Sequence, residues 1–243
     1  MGIVCEDSSH FSFFTAELFY ENIEGMIKSN YIIYDCETGG LDETKNPITQ
    51  YACIVLDYKT LKEIDRFETF VKPYNNLTIQ KEALEHTMVS MSDIKKGISV
   101  EDFVNVLFEF NAMHQAKSKK KEMGRLIPIG HNIPFDNRFL NYACNYCGKN
   151  YHELVYENYI DTLPLAKMMW GLTGEEKLNL TACAERAKIK LTDAHGAMND
   201  VESTADLFRF FVKKLRSKGV ASTTDESERA RGSEFFEFKC GQK

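Results

Sequence analysis

The sequence has no apolar run approaching the roughly 20 residues that a helix needs to cross a bilayer. It also lacks the basic start of an export signal, because Glu6 and Asp7 stand where such a signal is basic or apolar. We therefore expect a soluble protein that is neither embedded in a membrane nor secreted.

The seven cysteines do not form the pattern of a disulfide framework, because their number is odd and their spacing is irregular. Reduced thiols of this kind are typical of proteins inside the cell. The expected location is therefore intracellular, in the cytoplasm or the nucleus. Cys144 and Cys147 have the spacing of half a zinc site, but no second close pair of Cys or His completes it, so zinc is not expected.

The sequence has fewer basic than acidic residues, with 30 Lys and Arg against 36 Asp and Glu, and its formal net charge is -6. This balance argues against a protein that binds nucleic acid through an extensive basic surface, so any polyanion must be held locally. One lysine run could make such a local phosphate contact, although charged runs are more often solvated connections. It consists of Lys117, Lys119, Lys120 and Lys121.

The 243 residues, of which 43% are hydrophobic, suffice for one sizeable core with extensions. Residues 1–29 are expected to form an N-terminal helical extension, since apolar residues recur at helical spacing over 11–27. Residues 30–214 should form the main domain. Residues 215–243 are polar and small before an aromatic end, which indicates a flexible linker followed by an aromatic tail.

Two kinds of hydrophobic pattern divide the main domain. Short apolar runs rich in β-branched and aromatic residues predict strands over 31–34, 48–57, 63–72, 126–129 and 159–161. Helical periodicity and start signals predict helices over 100–110, from 134 onward, and over 163–170, 180–187 and 197–215. Three successive strands followed by alternating strands and helices predict an α/β protein with a mixed sheet and helices packed against it.

Asp35 and Glu37 follow the first predicted strand. Side chains two residues apart on extended backbone point to the same face, so the two carboxylates converge. Two like charges at a strand end are unfavourable unless a cation neutralises them, and hard divalent cations take oxygen ligands. The pair therefore indicates a metal site, with an acidic pair on a solvated turn as the commoner alternative.

Asp136 closes the segment GHNIPFD at 130–136, directly after a predicted strand. Open α/β sheets place ligands at such junctions between a strand and a helix, so Asp136 is a third candidate carboxylate. Taken in isolation, capping of the following helix by Asn132 or Asp136 is at least as good an interpretation.

His195 and Asp200 begin and end the segment HGAMND at 195–200. His195 leads into a predicted helix and Asp200 lies inside it. A histidine can take a proton from water near neutral pH, and a carboxylate close to it can hold a metal. By itself, a histidine before a helix is more often structural.

Three segments together resemble the signatures of the DEDDh family of 3′-to-5′ exonucleases. They are DCETG at 35–39, HNIPFD at 131–136 and HGAMND at 195–200. The similarity covers residues 30–213, and all five catalytic positions of the family are matched. The resemblance implies an α/β, ribonuclease-H-like fold with a mixed central sheet and helices on both faces.

The resemblance further implies hydrolysis of a phosphodiester with two Mg²⁺ or Mn²⁺ ions. Asp35 would bridge the ions, and Glu37 and Asp200 would complete the site on the side of the nucleophile. Asp136 would serve the other ion directly or through water. His195 would accept the proton of the attacking water, and the product would be a nucleoside 5′-monophosphate.

Four residues are candidates for substrate contact by the same resemblance. Thr38 and Leu41 would touch the terminal nucleotide, and His86 and Phe135 would line its pocket. Leu41 and Phe135 have an alternative as core residues, and His86 as a surface helix residue. One departure from the family pattern is Gly39, where Thr or Ala is more often expected.

The leading hypothesis is therefore a 3′-to-5′ exonuclease acting on single-stranded 3′ ends, of DNA first and of RNA as the close alternative. A non-catalytic nucleic-acid-binding or adaptor module is the alternative of another class, but it would be marked by a missing carboxylate or histidine, and none is missing. The aromatic tail either docks on a partner such as a polymerase or clamp, or packs back on the domain. It contains Phe235, Phe236 and Phe238.

Overall fold

The computed structural model describes residues 29–87, 89–115, 124–171, 177–191 and 196–217. Several of the predicted features lie outside these residues. They are the N-terminal helix over 11–27, the lysine run, His195 and the aromatic tail. The proposed division into an extension, a main domain and a tail therefore stays a prediction.

Five strands form one mixed sheet in the order β3-β2-β1-β4-β5. Strand β1 pairs antiparallel with β2 and parallel with β4, while β2–β3 is antiparallel and β4–β5 is parallel. The predicted mixed sheet is confirmed. The strands are β1 (Tyr31–Thr38), β2 (Ile48–Leu56), β3 (Glu63–Phe70), β4 (Ile127–Gly130) and β5 (Ile160–Asp161).

Helices fill most of the remaining described chain. They are α1 (Lys81–Thr87), α2 (Met91–Lys96), α3 (Val100–His114), α4 (Pro134–Tyr146), α5 (Thr162–Trp170), α6 (Leu180–Ala187), α7 (Ala197–Ser217) and a 3-10 turn at Tyr151–Glu153. All five predicted helices of the main domain are present. Helices α1 and α2 were not predicted, because stretches of 7 and 6 residues are too short to show helical periodicity.

The two faces of the sheet carry separate hydrophobic cores, because side chains alternate along each strand. On one face, Ile32 and Tyr34 of β1 pack with Phe103 of α3 and Phe139 of α4. On the other face, Ile33 packs against α7. Helices therefore lie on both faces, as the ribonuclease-H-like resemblance implied.

The long helix α7 is held against the sheet by small and apolar residues at helical spacing. Its buried face consists of Ala197, Val201, Ala205 and Phe208. The two alanines let the helix approach β1 and β2 closely. None of the helices in the described part of the chain has the sustained apolar length that a bilayer crossing requires.

Candidate active site

Strand β1 carries two carboxylates on the face that α7 covers. The sequence pattern placed Asp35 and Glu37 after a strand ending at Tyr34, but β1 continues to Thr38 and both residues lie within it. Asp35 pairs with Ala52 and Glu37 with Gln50 of β2, after which the register shifts at Thr38. The two carboxylates lie on the same face of the sheet as Ile33, as expected, because side chains two residues apart on a strand point to the same side.

Asp200 joins this pair from α7. It lies in the first turn of the helix, next to the buried Val201, and is itself half-buried. One carboxylate oxygen from each of Asp35, Glu37 and Asp200 lies within 4.8 Å of the other two. Three converging oxygen donors match the preference of a hard divalent cation, so these residues fit a metal ion by their chemistry and their spacing.

Asp136 approaches the same strand from α4. It lies in the first turn of that helix and is only 4% exposed, and its Oδ1 accepts a 2.9 Å hydrogen bond from the backbone N–H of Cys36. The alternative interpretation as a helix cap is wrong, because the N-cap position is Ile133 and makes no side-chain cap bond. This hydrogen bond therefore anchors the fourth carboxylate to the backbone of the residue between Asp35 and Glu37.

The electrostatics of the cluster follow from burial and like charge. Burial raises the pKa of Asp35, and the neighbouring Asp136, Glu37 and Asp200 raise it further. The pKa of Glu37 is raised to about 7, first by burial and then by Asp200 and Asp136. Burial also raises the pKa of Asp136, although the N–H of Cys36 opposes the shift. Without a cation, the ionised cluster therefore destabilises the fold.

The raised pKa values predict an unusual pH dependence of stability for the metal-free protein. Between about pH 4 and pH 7 the carboxylate cluster binds more protons in the folded state than in the unfolded chain, so its contribution to the free energy of unfolding should fall as pH rises through this window. Glu37→Gln removes one of these groups. At pH 8 with a chelator, it should raise the melting temperature by a few degrees, given about 2–4 °C per kcal/mol in a domain of this size.

Thermal melts of the wild type and Glu37→Gln at pH 5 and pH 8 measure this effect. Glu109→Gln, an exposed carboxylate on α3, is the matched control and should change little at either pH. A Glu37→Gln variant that is less stable than the wild type at pH 8 would show that the carboxylate is not under electrostatic strain.

The segment after β1 contains the predicted substrate-contact residues Thr38 and Leu41. Thr38 is buried, and its hydroxyl donates a 2.7 Å hydrogen bond to the Gly40 carbonyl. Leu41 is 79% exposed, so its alternative as a core residue is wrong. An exposed apolar side chain of this size in the segment after β1 is available for contact with a flat apolar group such as a base.

Gly39 is explained by packing. A Cβ built there would stand 2.8 Å from Pro47 Cδ and 3.1 Å from Ile79, so a larger residue does not fit this loop. The Gly39 N–H donates to the Pro47 carbonyl, and the Gly39 carbonyl accepts from Gln80, each at 2.8 Å. The backbone beside the site is therefore closely held on both sides.

The other two substrate candidates stand on helices. Phe135 is half-buried in the first turn of α4, where its ring packs against Phe139 and lies beneath the guanidinium of Arg138. His86 is exposed on α1, so it is a surface helix residue. Substrate contact by either residue stays a prediction.

His131 has a structural role that the sequence did not reveal. Its Nε2 donates to the Leu178 carbonyl at 2.8 Å, and its Nδ1 lies 2.9 Å from the Thr162 hydroxyl. Asn132, held at a φ of 65°, donates its N–H to Asp161 at 2.9 Å. These hydrogen bonds connect the segment before α4 with β5 and with the segment before α6. They therefore help to fix the position of Asp136 in the first turn of α4. Leu178 is 47 residues away along the chain, so no local pattern could have indicated this contact.

The fold is similar to that of solved exonuclease I structures. E. coli exonuclease I in complex with a dT13 oligonucleotide superposes with a TM-score of 0.63 at 18% identity, over 84% of this chain and 46% of that chain. Exonuclease I from Methylocaldum szegediense gives a TM-score of 0.63 at 20% identity, over 77% of this chain and 41% of that one. This similarity confirms the ribonuclease-H-like fold.

The chain belongs to the exonuclease family RNase_T, whose family model matches residues 32–208. Ribonuclease T of Haemophilus influenzae is 29% identical over 194 residues, which cover 77% of this chain and 81% of that protein. A PolC-type DNA polymerase III of Caldanaerobacter subterraneus is 27% identical over 203 residues, or 83% of this chain. The chain spans only 13% of the length of that polymerase. The resemblance to DEDDh exonucleases is thereby confirmed.

Proposed function

We propose that this protein removes nucleotides one at a time from single-stranded 3′ ends, of DNA in preference to RNA. The observation that carries the proposal is the convergence of Asp35, Glu37 and Asp200 at the junction of β1 and α7. Such a cluster is costly without a cation and suits metal-assisted hydrolysis of a phosphodiester. Its place in a chain of the exonuclease family supports this assignment.

The cofactors we propose are two Mg²⁺ or Mn²⁺ ions. Asp35, Glu37 and Asp200 would hold one ion, Asp35 would extend to the second, and Asp136 would serve the second. When bound, the ions supply the positive charge that offsets the carboxylates and the scissile phosphate. Asp136 is suited to a fixed role, because one of its oxygens is already held by the Cys36 N–H.

We assign the proton-accepting role to His195. This residue lies outside the described residues, and the described chain resumes at the next residue, Gly196. Helix α7 begins at Ala197 and carries Asp200 in its first turn, and His195 precedes this helix by two positions in the sequence. A histidine can accept a proton from water near neutral pH.

The terminal nucleotide would lie against the exposed Leu41 and the loop that follows β1. Thr38, with its hydroxyl held by the Gly40 carbonyl, shapes this loop, while Phe135 offers a half-buried ring from α4. His86 would close the pocket from α1. These contacts would place the last phosphodiester at the carboxylates.

Few features of the chain distinguish DNA from RNA as the substrate. The polymerase relative and the oligothymidylate complex of exonuclease I support DNA. Ribonuclease T supports the RNA alternative, since this chain covers 81% of that relative. A polymerase or clamp partner bound through the tail at Phe235, Phe236 and Phe238 is also proposed, with the polymerase relative as its support.

The test compares DNA and RNA oligonucleotides of one sequence, each labelled at the 5′ end and incubated with Mg²⁺ and the full chain. We expect a ladder that shortens stepwise from the 3′ end, and faster shortening of DNA than of RNA. Blocking the 3′ terminus should stop the reaction. Faster shortening of RNA would reverse the substrate assignment, and internal cuts on a blocked substrate would contradict an exonuclease.

A further inference from the structure

A groove lies between the C-terminal ends of α5 and α6 and the C-terminal half of α7. It has a volume of about 500 Å³. Its lining residues come from all three helices and are Met169, Trp170, Arg186, Ala187, Lys188, Phe210 and Lys214. We call it the Trp170 groove. Its composition combines an aromatic floor with a basic rim.

The floor is a pair of stacked aromatic rings. Trp170 and Phe210 have ring centroids 5.7 Å apart with planes inclined by 29°. Both rings also contact Phe211, which is buried in the small core between α5, α6 and α7. The core fixes the rings from below, while Trp170 and Phe210 remain half-buried and face the groove. The Nζ of Lys214 lies 5.5 Å from the centroid of the Phe210 ring. The half-buried Trp170 ring is suited to stacking by another flat ring.

The rim is cationic. Arg186, Lys188 and Lys214 line the groove, and no Asp or Glu does so among the described residues. Lys188 stands at the C-cap of α6 in the left-handed conformation, where its N–H bonds to the carbonyls of Ala184 and Glu185 and fixes its backbone. Three cations around one groove are a marked local excess in a chain of net charge -6.

The groove is separate from the carboxylate cluster but shares α7 with it. Phe210 and Lys214 lie 10 and 14 residues after Asp200 on this helix. At about 1.5 Å per residue they stand roughly 15 and 21 Å from Asp200 along the helix axis. A strand whose 3′ end lies at the carboxylates would need several nucleotides to reach the groove.

We propose that the Trp170 groove binds single-stranded nucleic acid upstream of the 3′ terminus. A base would stack on Trp170, and the phosphates next to it would contact Arg186, Lys188 and Lys214. Aromatic platforms with a positively charged surround bind single strands with little sequence preference. The inference rests on the proposed function, because it assigns a second contact to the same substrate.

The composition of the chain provides a direct probe, because Trp170 is its only tryptophan. The full chain is titrated with dT20 and with dT3 in the presence of a chelator, and tryptophan fluorescence is recorded alongside anisotropy of the labelled oligonucleotide. We expect dT20 to change the fluorescence strongly because a base stacks on Trp170. At equal concentration, dT3 should have a much smaller effect.

A charge variant tests the rim. Arg186→Gln/Lys188→Gln/Lys214→Gln should weaken dT20 binding and lower the slope of log K against log salt by about 2, given about 0.7 per phosphate contact on a single strand. The KM for dT20 hydrolysis with Mg²⁺ should rise several-fold while dT3 hydrolysis is unchanged. Lys72→Gln/Lys95→Gln/Lys96→Gln is the control, which removes three exposed charges, one from the segment after β3 and two from α2, and should leave the salt slope nearly unchanged.

The outcomes separate this inference from the proposed function. Stepwise shortening of dT20 with no change in tryptophan fluorescence would contradict nucleic-acid binding by the Trp170 groove and would leave the proposed exonuclease activity standing. A fluorescence change with no shortening would support the groove and contradict the activity. If an acidic aromatic peptide changes the fluorescence and dT20 does not, the groove binds protein and the inference is wrong.

Discussion

Replacing Asp35 with Asn is expected to lower exonuclease turnover by at least about a thousandfold. Metal ions stabilise the transition state of such a reaction by several kcal/mol, and each 1.36 kcal/mol changes the rate about tenfold. Asp35 lies in the middle of β1, where its carboxylate faces Glu37 and Asp200 within 4.8 Å. The measurement is the single-turnover rate on a 5′-labelled single strand with saturating Mg²⁺.

Asn has nearly the shape of Asp, so the fold should be retained. Glu109→Gln on α3 removes an exposed carboxylate and serves as the matched control with wild-type activity. The metal-free Asp35→Asn protein should also melt at a higher temperature than the wild type at pH 8, since burial and like charges raise the pKa of Asp35. Near-normal turnover in Asp35→Asn would show that the reaction does not depend on this carboxylate cluster.

His195→Ala is expected to reduce turnover by about 10²–10⁴-fold, the range that a positioned general base contributes. The effect should be confined to the proton-transfer step, so Mn²⁺ binding by the carboxylates should change little. The pH profile of the residual activity should lose the limb attributable to a histidine. Turnover on the same 5′-labelled strand from pH 5 to pH 9, together with Mn²⁺ binding, measures both expectations.

His152→Ala is the control for this variant, because His152 is an exposed histidine in the 3-10 turn. Normal turnover of His195→Ala at neutral pH would remove the general-base role. If Mn²⁺ binding were lost along with turnover, His195 would be needed for the metal site and not only for the proton.

The sequence predicted the order of the strands and longer helices well, and was least accurate where tertiary pairing overrides local preference. Asp and Glu are disfavoured in strands, so the apolar pattern of β1 ended at Tyr34. In the structure, pairing with the fully buried β2 continues the strand to Thr38. The two carboxylates therefore lie on a paired strand of the sheet. This strand restricts their positions more tightly than a turn would.

The convergence of the site could be predicted only in part. Alternation along β1 was enough to bring Asp35 and Glu37 to one face. The meeting with Asp200 depends on the packing of α7 through Ala197 and Val201, and local patterns do not specify which face of a sheet a helix covers. The His131 contacts and the anchoring of Asp136 to the Cys36 N–H join segments that are far apart in the chain, so only the folded structure reveals them.

The central claim is that Asp35, Glu37 and Asp200 hold divalent cations, and Mn²⁺ binding tests it most directly. Isothermal titration of the metal-stripped full chain at pH 7.5 should show saturable Mn²⁺ binding, and Glu37→Gln/Asp200→Asn should lose it while remaining folded. Equal Mn²⁺ binding by the wild type and the double variant, or none by the wild type, would contradict the account.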